Sequence, residues 1–392
     1  MTDSLGFSAD DRRLLTELRR DLHRHPELSW QESRTQERLA RALQEAGIEQ
    51  VTPVARTGLV AIVAGRAAGA TAVAVRGDID ALPIVEATGL GFASEHAGVM
   101  HACGHDVHAS WAVGAALLLR RDPAAGDVRV LLQPAEEVGE GAAAMITAGA
   151  LEGVGAIFGA HVDRRFAVGD VVVQEGPLAA SSDSFSIVLH GSGAHGARPH
   201  ESADPVVGAA HLIVALQTIV SRRLDPAVPG VLTVGSVHAG RATNVIPETA
   251  ELGGTIRATT AAARALLCGD LERITQAVAA AHGLRAEVRL ADGTPPVVNP
   301  REGAAWAGQA VRDLLGPSAI VPLGITNMAG EDFAFYLEKV PGCFLRIGAR
   351  EPGGEATAAH SPRFSPAEES LFVGAAVLAQ CARVASASLT RS

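Results

Sequence analysis

The chain has few cysteines, no apolar leader and no long apolar run. Its four cysteines, at positions 103, 268, 343 and 381, show no paired spacing, so no disulfide framework is expected. The N-terminus begins with polar residues and a helix start at Ser8 instead of an apolar signal. No uninterrupted apolar stretch approaches the roughly 20 residues that a membrane-spanning helix needs. These absences predict a cytoplasmic protein without a membrane partner.

Basic residues are too few and too scattered for a nucleic-acid-binding surface. The chain has 33 Lys and Arg against 43 acidic residues, and its formal net charge is -10. Since phosphate binding needs concentrated positive charge, no nucleic-acid partner is expected. At 392 residues the chain exceeds the size at which one core usually keeps growing, so two domains are expected. A hydrophobic content of 47% with 42 glycines suits a packed α/β protein.

Candidate metal ligands are concentrated at residues 100–106 (MHACGHD) and recur at 136–137, 161 and 360. A thiol, imidazoles and carboxylates form the mixed ligand set that zinc and similar divalent ions accept. Cys103 and His105 are separated only by Gly104, so both side chains can point the same way while the glycine lets the chain bend. Each residue type alone is more often structural, so the prediction of a metal site depends on their combination.

The candidate ligands follow apolar, strand-like runs. Residues 71–75 precede Cys103 and its loop, 128–132 precede the glutamate pair, and 156–160 precede His161. Open α/β sheets place their sites at the C-terminal ends of strands, so these groups are expected to converge. The neighbours Glu136 and Glu137 are expected to point apart. One can then bind metal while the other takes a proton from a water molecule and passes it to a leaving amine.

A series of ordered motifs spans nearly the whole chain. They are RDLHRHPEL (20–28), RGDIDALP (76–83), HACGHD (101–106), QPAEE (133–137), GAH (193–195) with PH (199–200), NVIP (244–247), GEDF (330–333) and HSPRF (360–364). In these motifs the chain resembles the dinuclear-metal aminoacylase/carboxypeptidase-type peptidases. Within them it resembles the amidohydrolase branch of hippurate hydrolases, N-acyl-amino-acid amidohydrolases and plant auxin-conjugate hydrolases.

The resemblance implies two divalent metal ions per subunit, as Zn, Mn, Co or Ni. The residues that match metal ligands are Cys103, His105, Glu137, His161 and His360. Cys103 stands where other branches place a bridging aspartate, and Asp78 where related branches carry a metal-binding histidine. Glu136 matches the general base that acts on the attacking water, with its proton passed on to the leaving group.

The resemblance also assigns residues outside the ligand set. His195 matches a histidine that reaches the partner subunit's active site to polarise the scissile carbonyl, which implies a homodimer or higher homo-oligomer. Asn244 and Arg257 match residues that hold the substrate carboxylate, a role suited to the planar guanidinium of arginine. Asp80 is interpreted as a carboxylate that orients a ligand or the water.

Helix and strand signals predict a two-domain α/β protein. They alternate up to about residue 177, which is typical of a mixed central sheet flanked by helices. Predicted strands at 185–189, 231–237, 250–256 and 286–290 and helices at 205–219 and 261–280 follow in the order βαββαβ, a ferredoxin-like arrangement. We therefore predict a discontinuous catalytic domain at 1–179 and 294–392. An α+β lid and dimerisation domain is predicted at 180–293.

The predicted activity is metal-dependent hydrolysis of N-acyl-amino acids, hippurate-like or related conjugates, to a carboxylic acid and a free amino acid. A metallo-dipeptidase or carboxypeptidase on the same scaffold is a close alternative. A cysteine-nucleophile amidase would use Cys103 directly and need no metal. An inactive binding or sensor protein on this scaffold is a third possibility, against which the complete set of ligands and Glu136 argues.

Two acidic motif residues have plausible structural roles. Glu27 lies at the end of a predicted helix near Trp30, where capping and packing are the favoured interpretation. Asp332 lies at a predicted helix start, where an acidic side chain favours the helix dipole, so N-terminal capping is at least as well supported as catalysis.

Overall fold

The computed structural model describes residues 5–391, which contain nine α-helices and fifteen strands. The helices are α1 (Ala9–Arg24), α2 (Ser33–Glu45), α3 (His105–Arg121), α4 (Gly141–Thr147), α5 (Pro205–Thr218), α6 (Ala261–Ala281), α7 (Arg301–Leu315), α8 (Ala334–Leu337) and α9 (Ser370–Leu389). The strands are β1 (Val51–Val54), β2 (Gly58–Val63), β3 (Ala72–Asp78), β4 (Val128–Gln133), β5 (Val154–Ala167), β6 (Val171–Val172), β7 (Gly176–Ala179), β8 (Ser182–His190), β9 (Ala194–His195), β10 (Gly230–Ala239), β11 (Val245–Ile246), β12 (Thr249–Ala258), β13 (Arg285–Thr294), β14 (Val297–Asn299) and β15 (Gly342–Arg350).

These elements form two compact units. Among the described residues, the first unit comprises 5–176, 299–325 and 332–391, and the second comprises 177–298 and 326–331. The chain thus leaves the first unit, completes most of the second and returns. The short segment 326–331 belongs to the second unit, although no sequence signal singles it out.

The first unit is built on a seven-stranded mixed sheet in the order β1-β2-β4-β3-β5-β15-β6. The central strands β4, β3, β5 and β15 are parallel neighbours, whereas β1, β2 and β6 pair antiparallel at the two edges. The predicted mixed sheet flanked by helices is confirmed. Because β4, β3 and β5 are adjacent and parallel, their C-terminal ends meet at one edge.

Two long apolar helices cover this sheet. All residues of α3 from His105 to Leu119 are buried, and the Trp111 ring packs against Gly374 of α9. Among residues 5–391, two helical segments are long and apolar enough to cross a membrane: Pro205–Arg223, whose most apolar stretch is 33% buried, and Ser370–Leu389, whose most apolar stretch is 78% buried. The second is α9, whose apolar surface is used in this core. The cytoplasmic location stays a prediction.

The second unit contains a four-stranded antiparallel sheet in the order β10-β12-β8-β13. Along the chain its main elements follow the predicted βαββαβ order, with α5 after β8 and α6 after β12. In β8 the buried residues Phe185, Ile187 and Leu189 alternate with more exposed ones, so one sheet face forms a core with the two helices. Short strand pairs, β9 with β11 and β7 with β14, complete this part of the chain.

Candidate metal centre

The end of one strand, the middle of another strand of the same sheet and the start of a helix carry most of the candidate ligands of the first unit. Glu136 and Glu137 follow β4, and His161 lies within β5. His105 is the first residue of α3, directly after Gly104. Gly104 has φ +91°, and a Cβ there would lie 2.5 Å from Val162 Cγ2, so only glycine fits this turn.

Cys103 and His161 form one side of the cluster. The Nε2 atom of His161 lies 3.1 Å from Cys103 Sγ, while its Nδ1 lies 2.7 Å from the carbonyl oxygen of Val162. Since a carbonyl can only accept, Nδ1 carries the proton and Nε2 presents a lone pair toward the thiol. Burial lowers the pKa of His161 well below its usual value, which keeps the ring neutral and suited to bind a cation.

Both glutamates reach the same imidazole. His105 Nε2 lies 3.9 Å from a carboxylate oxygen of Glu136 and 3.8 Å from one of Glu137. The expectation that the two side chains point apart is therefore wrong. Ala135, which precedes them, has a left-handed backbone (φ +52°), so the pair lies in a turn and not on an extended strand. Only Glu137 also groups with Cys103 and His360.

The predicted ligands gather in overlapping groups. Within each group the candidate ligand atoms lie within 4.8 Å of one another: Cys103 with His105 and His161, Cys103 with Glu137 and His360, and His105 with Glu136 and Glu137. The side chain of His360 is about half exposed, and its Nε2 lies 3.5 Å from Glu137 Oε1. All five residues predicted as ligands, together with Glu136, are thus brought to one place.

The spacing of these atoms fits a bound cation. Within the described chain, His105 Nε2 and Glu137 Oε1 are buried and make no hydrogen bond. Such groups normally find a partner. Bonds of about 2.1 Å to a tetrahedral zinc would set ligand atoms about 3.4 Å apart, near the separations seen between these side chains. The residues present therefore fit divalent metal ions.

Asp80 supports two candidate ligands at once. One of its oxygens lies 3.1 Å from His105 Nδ1, and the other accepts hydrogen bonds from the Glu137 backbone N–H (3.0 Å) and the Ser29 hydroxyl (2.7 Å). Burial by itself would raise the pKa of Asp80, but the hydrogen bonds from these three donors lower it. The ionised carboxylate holds a proton on His105 Nδ1, so Nε2 is the nitrogen that faces the cluster and would bind a cation through its lone pair.

Asp78 is committed to other partners. It accepts a hydrogen bond from Arg76 and pairs with His108 Nδ1 at 2.7 Å. His108 Nε2 accepts the backbone N–H of Val162 at 2.9 Å, so both nitrogens of this buried ring are used within the protein. Burial alone would raise the pKa of Asp78, but Arg76, His105 and His108 outweigh burial and hold this pKa well below its usual value. Asp78 thus positions His108 behind the candidate ligands.

Asp332 caps a helix, but not the one that follows it. Its carboxylate accepts the N–H of Ala142 at the start of α4 (2.9 Å), as well as hydrogen bonds from Arg76 and Gln133, each 2.9 Å. The following helix, α8, spans only Ala334–Leu337 and has no side-chain cap. Glu27 likewise accepts the N–H of Thr35 in α2 at 2.8 Å, in line with the capping interpretation.

Hydrogen bonds from β5 hold the loop that carries His360. The His360 N–H donates to the carbonyl of Ala102 (2.8 Å), which places its side chain beside Cys103. Arg164, three residues after His161, donates to the backbone carbonyls of Glu355 (2.9 Å) and Ser365, on either side of His360. Sequence reasoning did not single out Arg164, because Asp163 and Arg165 on either side of it are also charged and nothing in the sequence distinguishes the three.

The candidate substrate residues of the second unit fall into two separate places. His195 in β9 pairs with Val245 in β11, so it lies beside Asn244, and both are exposed. Arg257 lies near the other end of β12, where its guanidinium contacts the carbonyls of Ile256 and Asp183. The nine residues from Thr249 to Arg257 are separated by eight extended steps, which alone span roughly 27 Å. One carboxylate therefore cannot contact Asn244 and Arg257 of the same chain.

Comparison with known proteins decides the family. The profile of Peptidase family M20/M25/M40 matches residues 74–384, most of the chain. The chain belongs to this family. The predicted resemblance and the enzyme class, a metal-dependent amidohydrolase, are confirmed.

Curated relatives cover nearly the same length. N-acetyl-L-cysteine deacetylase of Bacillus subtilis (strain 168) is 44% identical over 84% of this chain and 79% of its own. A second protein of that organism, N-acetylcysteine deacetylase, is 41% identical over 94% and 96%. Thermostable carboxypeptidase 1 of Saccharolobus solfataricus is 36% identical over 92% of both chains.

A solved structure of similar fold is described as a protein that binds two metal ions. It is the crystal structure of a Bacillus subtilis protein described as a dinuclear metal binding peptidase from the M20 family. The two chains superpose with a TM-score of 0.85 at 37% identity, over 96% of this chain and 99% of the other. The candidate metal-binding clusters of this chain agree with that class, and they do not identify the metal.

Proposed function

We propose that this protein hydrolyses the amide bond of N-acyl-amino acids to a carboxylic acid and a free amino acid. The observation that carries the proposal is the cluster of Cys103, His105, Glu137, His161 and His360 with one further carboxylate, Glu136, beside it. Five ligands suit metal binding, and the sixth group suits proton transfer. Hippurate-like and related conjugates belong to this substrate class.

The five clustered residues would hold two divalent cations, Zn, Mn, Co or Ni. Bound there, such ions would supply Lewis acidity and lower the pKa of a water molecule. The thiol of Cys103 favours the softer metals. In a coordinated state it would be a thiolate, although burial raises the pKa of the thiol well above its usual value in the protein alone.

Glu136 is proposed to move the protons. Its carboxylate would take a proton from the attacking water and deliver it to the nitrogen of the departing amino acid. Asp80 contributes indirectly, because it fixes the tautomer of His105 and the backbone of Glu137. His195 would polarise the scissile carbonyl and stabilise the oxyanion that forms from it.

His195 is proposed to serve the site of a second copy of this chain. The edge strand β10 of the second unit is largely exposed, including Val231 and Val237. Helix α5 also exposes apolar side chains, with Val214 70% exposed. Exposed apolar surface beside an unpaired strand edge is typical of a protein interface. A homodimer joined here would give His195 and Asn244 to one site and leave Arg257 for another.

The substrate class is proposed from two sources. Two relatives are named as deacetylases of an N-acetylated amino acid, which supports an N-acyl substrate. Arg257, a half-buried guanidinium, suits the free carboxylate of the amino-acid part. Carboxypeptidase action remains the second candidate, because a relative that matches over 92% of this chain carries that name.

The proposal is tested by a matched pair of variants, Glu136→Gln and Glu137→Gln. Each is assayed for free amino acid released from a panel of N-acyl-amino acids and peptides with added Zn, Mn or Co, and for bound metal. Glu136→Gln is expected to lower kcat by about 10²–10⁴-fold with metal content intact. Glu137→Gln is expected to lose metal.

Three outcomes would contradict the proposed glutamate roles, the proposed substrate class or the metal mechanism. Metal loss in Glu136→Gln alone would mean that the two glutamates have exchanged roles. Faster release from peptides than from N-acyl-amino acids would favour the carboxypeptidase. Activity that survives a strong chelator but is abolished by thiol alkylation would indicate a nucleophilic Cys103 and reject the metal mechanism.

A further inference from the structure

The segment between α1 and α2 lies against the turn that carries the two glutamates. Ser29 donates its hydroxyl proton to Asp80 (2.7 Å), and Trp30 donates its indole N–H to Glu140 (2.7 Å). Glu32 accepts the backbone N–H of Ala135 (2.9 Å). Three contacts from one short segment therefore reach residues around the candidate metal centre.

Ala135 has the backbone conformation that makes the turn possible. Its φ is +52°, a left-handed value that residues other than glycine adopt only when their surroundings hold them there. Its carbonyl accepts the N–H groups of Glu140 and Gly141, and its N–H goes to Glu32. Both polar groups of this peptide unit are thus paired, and the N–H depends on a side chain from a distant part of the sequence.

Glu32 holds Ala135 from a buried position. Its side chain is fully buried, and its second oxygen accepts the hydroxyl proton of Thr57 at 2.6 Å. Among the described residues, Glu32 makes no hydrogen bond to a candidate metal ligand. Its partner Ala135 precedes the two glutamates and is not itself a ligand. A buried carboxylate with two good donors is a rigid acceptor.

We propose that Glu32 is a positioning residue that holds Ala135 in the left-handed conformation and thereby aims Glu136 and Glu137 at His105. On an extended strand, adjacent side chains point to opposite faces. Here both carboxylates lie within 4 Å of one imidazole nitrogen. The left-handed residue directly before them provides the change of direction, and the buried carboxylate fixes that residue.

The test uses a double-mutant cycle of Glu32→Ala and Ala135→Gly. Glycine adopts positive φ as readily as negative φ, so the turn should form without Glu32 when residue 135 is glycine. The left-handed penalty of an L-residue corresponds to about 5- to 30-fold in population. Glu32→Ala is therefore expected to lower kcat by about 10-fold or more with KM little changed, and the double variant to recover most of that loss.

A second readout does not depend on turnover. The cobalt affinity and the thiolate-to-cobalt absorption of the metal-loaded protein report on Glu137 and its neighbours. Glu32→Ala should weaken cobalt binding, and the double variant should restore it. This inference rests on the proposed roles of Glu136 and Glu137. Cobalt binding still tests the positioning role if the chosen substrates prove wrong.

Two further variants complete the design. Thr57→Val removes the other hydrogen bond of Glu32 but leaves Ala135 paired, so kcat and cobalt affinity are expected to stay within about 3-fold of the parent. Glu32→Gln keeps one acceptor oxygen for the Ala135 N–H, because the Thr57 hydroxyl can rotate to accept from the NH₂ group, so both readouts are expected to stay close to the parent. The proposal is overturned if Glu32→Ala changes neither readout, if Glu32→Gln loses as much as Glu32→Ala, or if glycine at residue 135 restores neither the fold nor the two readouts. Equal losses in Thr57→Val would reduce Glu32 to a general core residue.

Discussion

Asparagine in place of Asp80 should weaken metal binding without removing a ligand. The two carboxylate oxygens of Asp80 face three donors: His105 Nδ1, the Glu137 N–H and the Ser29 hydroxyl. An asparagine side chain has one acceptor oxygen and one NH₂ group, so in either orientation the NH₂ group meets a donor.

Each orientation has a different cost. If the NH₂ group faces His105, the imidazole must move its proton to Nε2, and the atom that faces the cluster loses its lone pair. If the NH₂ group faces the opposite side, the Ser29 hydroxyl can rotate, but the Glu137 N–H remains buried without an acceptor. Loss of such supporting groups typically lowers metal affinity by about 10- to 100-fold. That corresponds to about 1.4–2.7 kcal/mol.

The assay is a competition titration with a chromophoric chelator, together with thermal unfolding of the metal-free and metal-loaded proteins. Because a bound ligand stabilises the native state by RT ln(1 + [L]/Kd), the metal-dependent rise in Tm should shrink for Asp80→Asn. Ser29→Ala is the matched control. It removes one donor and leaves His105 and Glu137 held, so its metal affinity should change by less than about 3-fold. An unchanged metal affinity in Asp80→Asn, or an equal drop in Tm with and without metal, would refute the reasoning.

Two other changes test the supports of the fold. Arg164→Ala should release the loop around His360 and lower metal affinity by about 10-fold, measured by metal analysis after dialysis. Arg165→Ala is the control, because Arg165 is exposed and pairs with Asp163, and it should retain its metal. Equal metal loss in both variants would contradict the role of Arg164 in holding the loop. Asp11→Asn should cost about 1 kcal/mol near neutral pH, because Asp11 pairs with Arg121 and with the α1 cap Ser8, and these contacts lower the pKa of Asp11 although burial opposes them. Because the pKa of Asp11 is lower in the folded state than the unfolded value of about 3.9, its ionised carboxylate stabilises the folded protein at higher pH, and this stabilisation is lost as the pH falls through the folded-state pKa. The difference in Tm between parent and variant should therefore disappear at low pH. A difference that persists there would exclude the ionisation of Asp11 as its cause.

The strands that position the site could be predicted because their sequence is locally consistent. The apolar runs before the glutamate pair and before His161 became β4 and β5, which are buried on both faces in the central sheet. Their parallel pairing with β3 follows from the helical crossover connections, so the C-terminal edge was the expected place for ligands. The βαββαβ order of the second unit was equally readable from alternating strand patterns.

The local direction of the glutamates could not be predicted. Nothing in an alanine predicts positive φ, since this residue type normally avoids that region. The conformation of Ala135 is set by Glu32, about a hundred residues earlier in the chain. Likewise, His360 follows a stretch without regular structure from residue 351, and its loop is held by hydrogen bonds to distant residues, among them Arg164, Ala102 and Ala87. The family resemblance, and not a periodic pattern, indicated this residue.

The separation of Asn244 from Arg257 could have been predicted. The strand predicted at 250–256 lies between them, and seven extended residues already span about 23 Å. The family match placed both residues at a substrate carboxylate without regard to this distance. The observed β12, Thr249–Ala258, makes a shared role within one chain impossible, and it gives the proposed dimer a structural reason.

Two groups of buried polar side chains at this sheet edge differ in their hydrogen bonding, and the difference indicates where a cation would bind. Arg76 donates hydrogen bonds to Asp78, Gln133 and Asp332, and Asp332 also accepts the N–H of Ala142 in α4, so these buried polar groups find partners inside the protein. A few ångströms away, His105 Nε2 and Glu137 Oε1 are equally buried but make no hydrogen bond within the described chain. Burying such groups unpaired is costly, and the first network demonstrates that this fold can satisfy polar groups at the same sheet edge. A divalent cation held between these candidate ligands would satisfy both atoms, so metal removal is expected to destabilise the first unit through these residues.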